Sequence, residues 1–209
     1  MGVIGRGILG GFSGKVANVV GGSWKGIAYM RSLPLSVANP KTAGQVLQRG
    51  KMAGVVIFAK LILADIIKPL NDRFAQKQSG YNLFVSRNIG DVSSAGVPTM
   101  ADIILSEGNL DGFDGLSQSY VPGTKTVTVE WNDNSGTGLA LATDKLYAVC
   151  YNQDEDEITV SSAVATRNDE SVDIVLPTLT ALDVVQTACS FLREDGSVVS
   201  TSAFVQSTT

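Results

Sequence analysis

Gly5-Arg6-Gly7-Ile8-Leu9-Gly10 has the G-x-G-x-x-G spacing with which a glycine-rich turn brings backbone amides against a pyrophosphate. That chemistry needs a preceding strand, a following helix and an acid about twenty residues on. Only four residues precede Gly5 and the first acid is Asp65, so the match is read as a product of glycine-rich composition. Gly14-Lys15 resembles the end of a phosphate-binding loop, but Val16 stands where a hydroxyl would touch magnesium and Leu9 where the first glycine belongs. Asp154-Glu155-Asp156-Glu157 offers clustered oxygen ligands of the kind calcium takes. It lacks the calcium-loop pattern and reads as a solvated hairpin loop.

The chain contains no histidine. This excludes a Ser-His-Asp triad, a Cys-His dyad, an H-E-x-x-H zinc site and a facial triad, each of which needs an imidazole. No spacing among the acids singles out a glycosidase pair. Cys150 and Cys189 are too few for a disulfide scaffold; both fall in predicted strands, where they could face each other across a sandwich, and are read as reduced, buried thiols. The chain is therefore read as a non-enzyme, with no catalytic residue, no cofactor and no metal ligand assigned.

The elements that would carry any function follow from composition. The 209 residues, 44% hydrophobic and 17% charged, suit a folded chain of one large domain or two small ones. The net charge of -4 hides a split: residues 1–90 carry twelve basic groups against Asp65 and Asp72, a net +10, and residues 91–209 carry four against eighteen acids, a net -14. Such asymmetry steers association with an oppositely charged surface. The basic residues, with Trp24, Tyr29, Phe74 and Tyr81 nearby, have the ingredients of a single-strand groove, but their even spread argues against nucleic acid. The first dozen residues lack the apolar core and cleavage site of an export signal. The stretch from Val55 to Ile67 is interrupted by Lys60 and Asp65 and is too short to span a membrane.

Three segments follow. Residues 1–38 form a glycine-rich arm, with nine glycines among the first 26 residues alternating with large apolar side chains. Extended pieces are expected at Lys15–Val20 and Ser23–Arg31, packed on the rest of the subunit or on a neighbour. Residues 39–98 are helical: Asn39-Pro40-Lys41-Thr42 with Gln45 predicts a helix start near Thr42, Val55, Phe58, Ala59, Ile62 and Ile66 mark a buried stripe, and Pro69 closes or kinks it. Further helices are predicted at Asn71–Lys77 and Tyr81–Asn88. Residues 99–209 turn to period two, with strands predicted at Thr126–Trp131, Lys145–Tyr151, Glu157–Thr166, Ser171–Leu176, Val184–Leu192 and Val198–Val205. The fold class is multi-part α+β, ending in an immunoglobulin-like or fibronectin-like β-sandwich with Trp131 as core anchor.

Gly11-Phe12-Ser13-Gly14-Lys15-Val16-Ala17-Asn18-Val19-Val20-Gly21, N-P-x-T-x-x-Q-x-x-x-R from Asn39 to Arg49 and G-Y-N-x-F-V-x-x-N from Gly80 to Asn88 together resemble an uncharacterised family. It is a domain of unknown function found in Bacteroidota genomes and phage-like regions. The helical motifs are also similar to segments of phage virion proteins. Gly50 and Gly54 follow the Gln48-Arg49 pair where that family often carries a large apolar residue, which bears on the straightness of the long helix. The resemblance implies a structural assembly protein, a head-to-tail connector or tail-ring component located in the virion and assembled in the host cytoplasm. Its partners would be copies of itself in a ring or tube and other virion proteins. The alternative is a Bacteroidota surface or secreted binding module with an immunoglobulin-like domain, located at the bacterial cell surface. Candidate assembly contacts are Phe12, Lys15, Trp24, Arg49, Lys51 and Arg87.

Overall fold

The computed structural model describes residues 3–4, 11–24, 27–36, 38–90, 92, 99–121, 124–177 and 184–207. It is mostly antiparallel β-sheet with three α-helices, divided into two compact units, Met1–Thr42 and Ala43–Thr209.

The first unit is a four-stranded sheet in the order β1 (Val3–Ile4), β2 (Phe12–Val16), β3 (Val19–Trp24), β4 (Ile27–Ser32). The extended piece expected at Lys15–Val20 is broken by a reversal at Ala17-Asn18, where Ala17 takes φ 46° and Val16 pairs with Val19. A two-residue loop of this hand matches the right-handed twist of the strands it joins. Leu33 N–H closes the turn from the other side by donating to the Asn18 carbonyl at 2.7 Å. The second piece is likewise divided, since Trp24 and Ile27 pair across a hairpin. The G-x-G-x-x-G match at Gly5–Gly10 lies outside the described residues.

In the second unit α1 (Ala43–Leu61) begins directly after Thr42 and runs unbroken through Gly50 and Gly54. Its inner stripe is buried as its spacing requires, with Val55, Ala59 and Ile62 fully inaccessible. Pro69 neither closes nor breaks the run. A proline has no N–H and its ring crowds the carbonyl four residues back. The preceding turn widens to a π-turn over Leu63–Ile67, and α2 (Lys68–Asn71) carries Pro69 in its first turn, where no N–H is needed. The helix expected at Asn71–Lys77 is not formed. Asn71 is buried and donates to the Leu105 carbonyl at 2.8 Å, and Asp72 Oδ1 accepts the Gly80 N–H at 2.9 Å, so these side chains hold a turn leading into α3 (Gly80–Asn88). Ser79 caps α3 by accepting the Asn82 N–H at 3.3 Å.

The strands are β5 (Asp114–Val121), β6 (Thr126–Asn132), β7 (Lys145–Asn152), β8 (Glu157–Thr166), β9 (Ser171–Val175), β10 (Val185–Leu192) and β11 (Ala203–Ser207). They form two antiparallel sheets, β11-β10-β7-β8 and β5-β6-β9. The four-stranded sheet is buried on both faces. Leu146, Ala148 and Cys150 of β7 enter a core with Val127, Val129, Trp131 and Ile174 of the other sheet. The alternate residues Tyr147, Val149 and Tyr151 enter a second core with Phe58, Ile62, Ile66 and Phe84 of the helices. Helices and strands are therefore one packed body of three layers, because the period-two alternation of β7 has apolar residues at both phases. Cys150 and Cys189 do not face each other across two sheets: they sit in neighbouring strands of one sheet, Cys150 paired with Thr187 and Cys189 with Ala148, both free and buried.

Candidate assembly surface

Phe12 opens β2 and is half-buried. A Cβ on Gly21 would meet the Phe12 carbonyl oxygen and come within 2.7 Å of the Phe12 ring, and a Cβ on Gly22 would come within 3.1 Å of the Tyr29 ring. Successive strand residues point to opposite faces, so the glycine pair at the centre of β3 seats one aromatic ring on each face of the first sheet. Any larger residue there would displace a ring. Lys15 is exposed on β2, opposite Val20. Trp24 ends β3 in register with Ile27, and its side chain lies outside the described residues.

The other three candidates lie in the second unit. Lys51 Nζ donates to the Gly90 carbonyl at 2.8 Å. Arg87 pairs through Nη2 with Glu107 at 3.1 Å and donates through Nη1 to Asn71 at 3.4 Å. Both charges are thus engaged within their own unit. Arg49 is exposed and lines a shallow groove with Gln45, Gln48, Met52 and Ile89. The six residues form no single site: Phe12, Lys15 and Trp24 belong to the first unit, Arg49, Lys51 and Arg87 to the second.

Two surfaces not singled out from the sequence carry more apolar area. All six residues of β4 are exposed, including Ile27 at 67% and Met30 at 70%, although the strand reads Ile-Ala-Tyr-Met. β4 also ends its sheet, with β3 on one side only. The outer side of α1 exposes Val46, Ala53, Ile57 and Leu61 at seven- and four-residue steps, opposite the buried stripe. A helix apolar on both sides is ordinarily covered on both. The signal was present in the sequence, since Val46, Ile57 and Leu61 are surplus to one buried stripe. At the C-terminal end of α1, Leu61, Ile158 and Val160 floor an open groove of about 470 Å³ whose rim is Glu155, Asp156 and Glu157.

The acidic run itself organises the β7–β8 hairpin. Asp154 Oδ2 accepts the Val184 N–H at 2.7 Å, and Asp156 Oδ1 accepts the Tyr151 hydroxyl at 3.0 Å. Burial, reinforced by that bond, pushes the Tyr151 phenol up to about 12. A polar cluster around a buried arginine lies at the other end of the strands. Arg167, fully buried, donates through Nε to Asp144 at 3.2 Å, through Nη1 to the Gly112 carbonyl at 3.0 Å and to Asn134, and through Nη2 to the Asp111 carbonyl at 2.8 Å. Its guanidinium lies 4.1 Å from the Phe191 ring centroid, and its own carbonyl accepts the Trp131 indole N–H at 2.7 Å. Burial lowers its pKa while Asp144 opposes the shift. With every donor nitrogen engaged and no exposed surface, this cluster locks loops together and offers nothing to a substrate.

Among the described residues, no group of acids or cysteines is arranged to hold a metal ion, and no helix is long and apolar enough to cross a membrane. No curated protein matches the chain. The model of a family of unknown function, DUF6266, matches residues 11–206, from just before β2 into β11, and the chain belongs to that family.

Proposed function

We propose that this chain is a structural assembly protein, a virion component of the connector or tail-ring kind, whose copies join through the glycine-rich N-terminal arm. The observation that carries this reading is β4, a strand at the edge of its sheet that exposes Ile27, Ala28, Tyr29 and Met30. A body of 42 residues is close to the length of about 40 below which a core needs outside support. An exposed apolar edge strand is also a template for pairing with another chain. A repeating contact uses both properties, since heterologous interfaces between identical subunits close into rings or extend into tubes.

The remaining features fit the same reading. Through residue 42 the chain carries Arg6, Lys15, Lys25, Arg31 and Lys41 and no acid, while the strand-rich end is strongly acidic. Opposite net charges on the two units favour contact between unlike surfaces of neighbouring copies over random contact. The strand orders β5-β6-β9 and β11-β10-β7-β8 support reading the two sheets as an immunoglobulin-like or fibronectin-like sandwich, an architecture suited to spacing and binding. The resemblance of the helical motifs to virion segments adds the place of assembly. Electron microscopy of the purified full chain tests the reading: closed rings or tubes of uniform diameter are expected. A monodisperse monomer at high concentration would overturn it and favour a surface binding module.

A further inference from the structure

Resting on that assembly reading, we propose that the groove between the C-terminal end of α1 and β8 receives strand β4 of a second copy of this chain. The groove is bipartite. Its floor is apolar, formed by Leu61, which is 60% exposed, with Ile158 and Val160 of β8, and its rim is the acidic run Glu155-Asp156-Glu157.

β4 has the complementary pattern in six residues. Alternation along a strand puts Ile27, Tyr29 and Arg31 on one face. Two apolar side chains are followed at the next same-face position, about 7 Å on, by a cation. Laid in the groove, Ile27 and Tyr29 cover the floor while Arg31 reaches the carboxylates of the rim. The backbones also match, since β8 ends the sheet β11-β10-β7-β8 and β4 ends the sheet β1-β2-β3-β4, so among the described residues each has a side without a partner strand. Adding one edge strand to another supplies main-chain hydrogen bonds for affinity and side-chain pockets for register. A second copy is the occupant that fits because the arm carries only positive charge and the groove rim only negative charge. Donor and acceptor surfaces are different, so the contact is heterologous and propagates from copy to copy.

The test uses full-length chains. Arg31→Cys in a tagged chain is mixed with Glu155→Cys in an untagged chain and mildly oxidised; the native Cys150 and Cys189 are buried, and burial holds their thiols protonated. A mixed disulfide between tagged and untagged chains is expected, and none when the second chain instead carries Ser119→Cys on β5 at the far edge of the other sheet. Arg31→Glu or Glu155→Lys alone should slow assembly about tenfold at low salt, and the two together in every copy should restore it. Wild-type assemblies that form with no mixed disulfide and no effect of either charge reversal would overturn this contact and leave the assembly reading standing. A doubly substituted chain that closes its disulfide internally at high dilution, with no mixed product, would overturn the assignment to a second copy. Wild-type chains that never assemble would remove the assembly reading itself.

Discussion

Deleting residues 1–110 strips the helical layer from the four-stranded sheet while leaving all seven strands of the second unit in place. On the uncovered face Tyr147, Val149, Tyr151 and Leu192, none more than 8% exposed in the intact chain, would meet water. At roughly 1.5–3 kcal/mol for each large apolar side chain, the loss is about 6–12 kcal/mol. Ser190 and Ser200 would in addition lose the Ser106 hydroxyl that bridges them in the core. A folded domain has only about 5–15 kcal/mol in total. Residues 111–209 alone should therefore give no cooperative melt, whereas residues 43–209 should melt in one transition. Circular dichroism melts of the two fragments, with dye binding as a reporter of exposed apolar surface, make the comparison. A cooperative transition for 111–209 within a few degrees of that for 43–209 would refute the shared core.

Arg167→Met should destabilise the second unit by about 3–5 kcal/mol, because it strands the buried Asp144 carboxylate. Adding Asp144→Leu should recover part of that loss in denaturant titrations. Burial raises the Cys150 thiol from 9.0 to about 12, with the Thr187 hydrogen bond opposing the shift. The folded state thus keeps a proton that the unfolded chain gives up: stability from this group is complete below pH 9 and falls as pH rises toward 12. Urea midpoints measured from pH 8 to 11 should decline less steeply in Cys150→Ala than in wild type. Gly21→Val should clash with both the carbonyl and the ring of Phe12 and weaken the first sheet. Hydrogen exchange should then accelerate in residues 12–24 with the second unit unchanged.

The helix start was legible at Asn39-Pro40-Lys41-Thr42 because the Thr42–Gln45 spacing is a local signal, and α1 begins at the next residue. β8 was legible to the residue, and β6, β7, β9 and β10 to within one, because their turns are rich in polar residues and glycine. β5 was not, since its inward positions include Gln118, whose amide N–H group donates to the Val185 carbonyl at 3.1 Å and to the Ser207 hydroxyl at 2.8 Å. Such a partner is distant in sequence, and the polar residue masks the alternation. The alternation over Val198–Val205 predicts one strand. It divides because Ser200 turns inward to accept the Phe191 N–H at 2.8 Å, and regular pairing resumes only at Ala203. The charge split was visible by counting, but counting treats every charge as free. The bonds of Lys51 to Gly90 and of Arg87 to Glu107 join positions 39 and 20 residues apart, and only the fold brings them together.

The mass of the purified chain, measured in solution over a range of concentrations beside that of residues 43–209, tests the central claim most directly. If the N-terminal unit joins copies of this protein, the full chain forms a defined higher-order species and the deletion variant stays a folded monomer. Equal masses for the two, whether both monomeric or both assembled, would contradict the account.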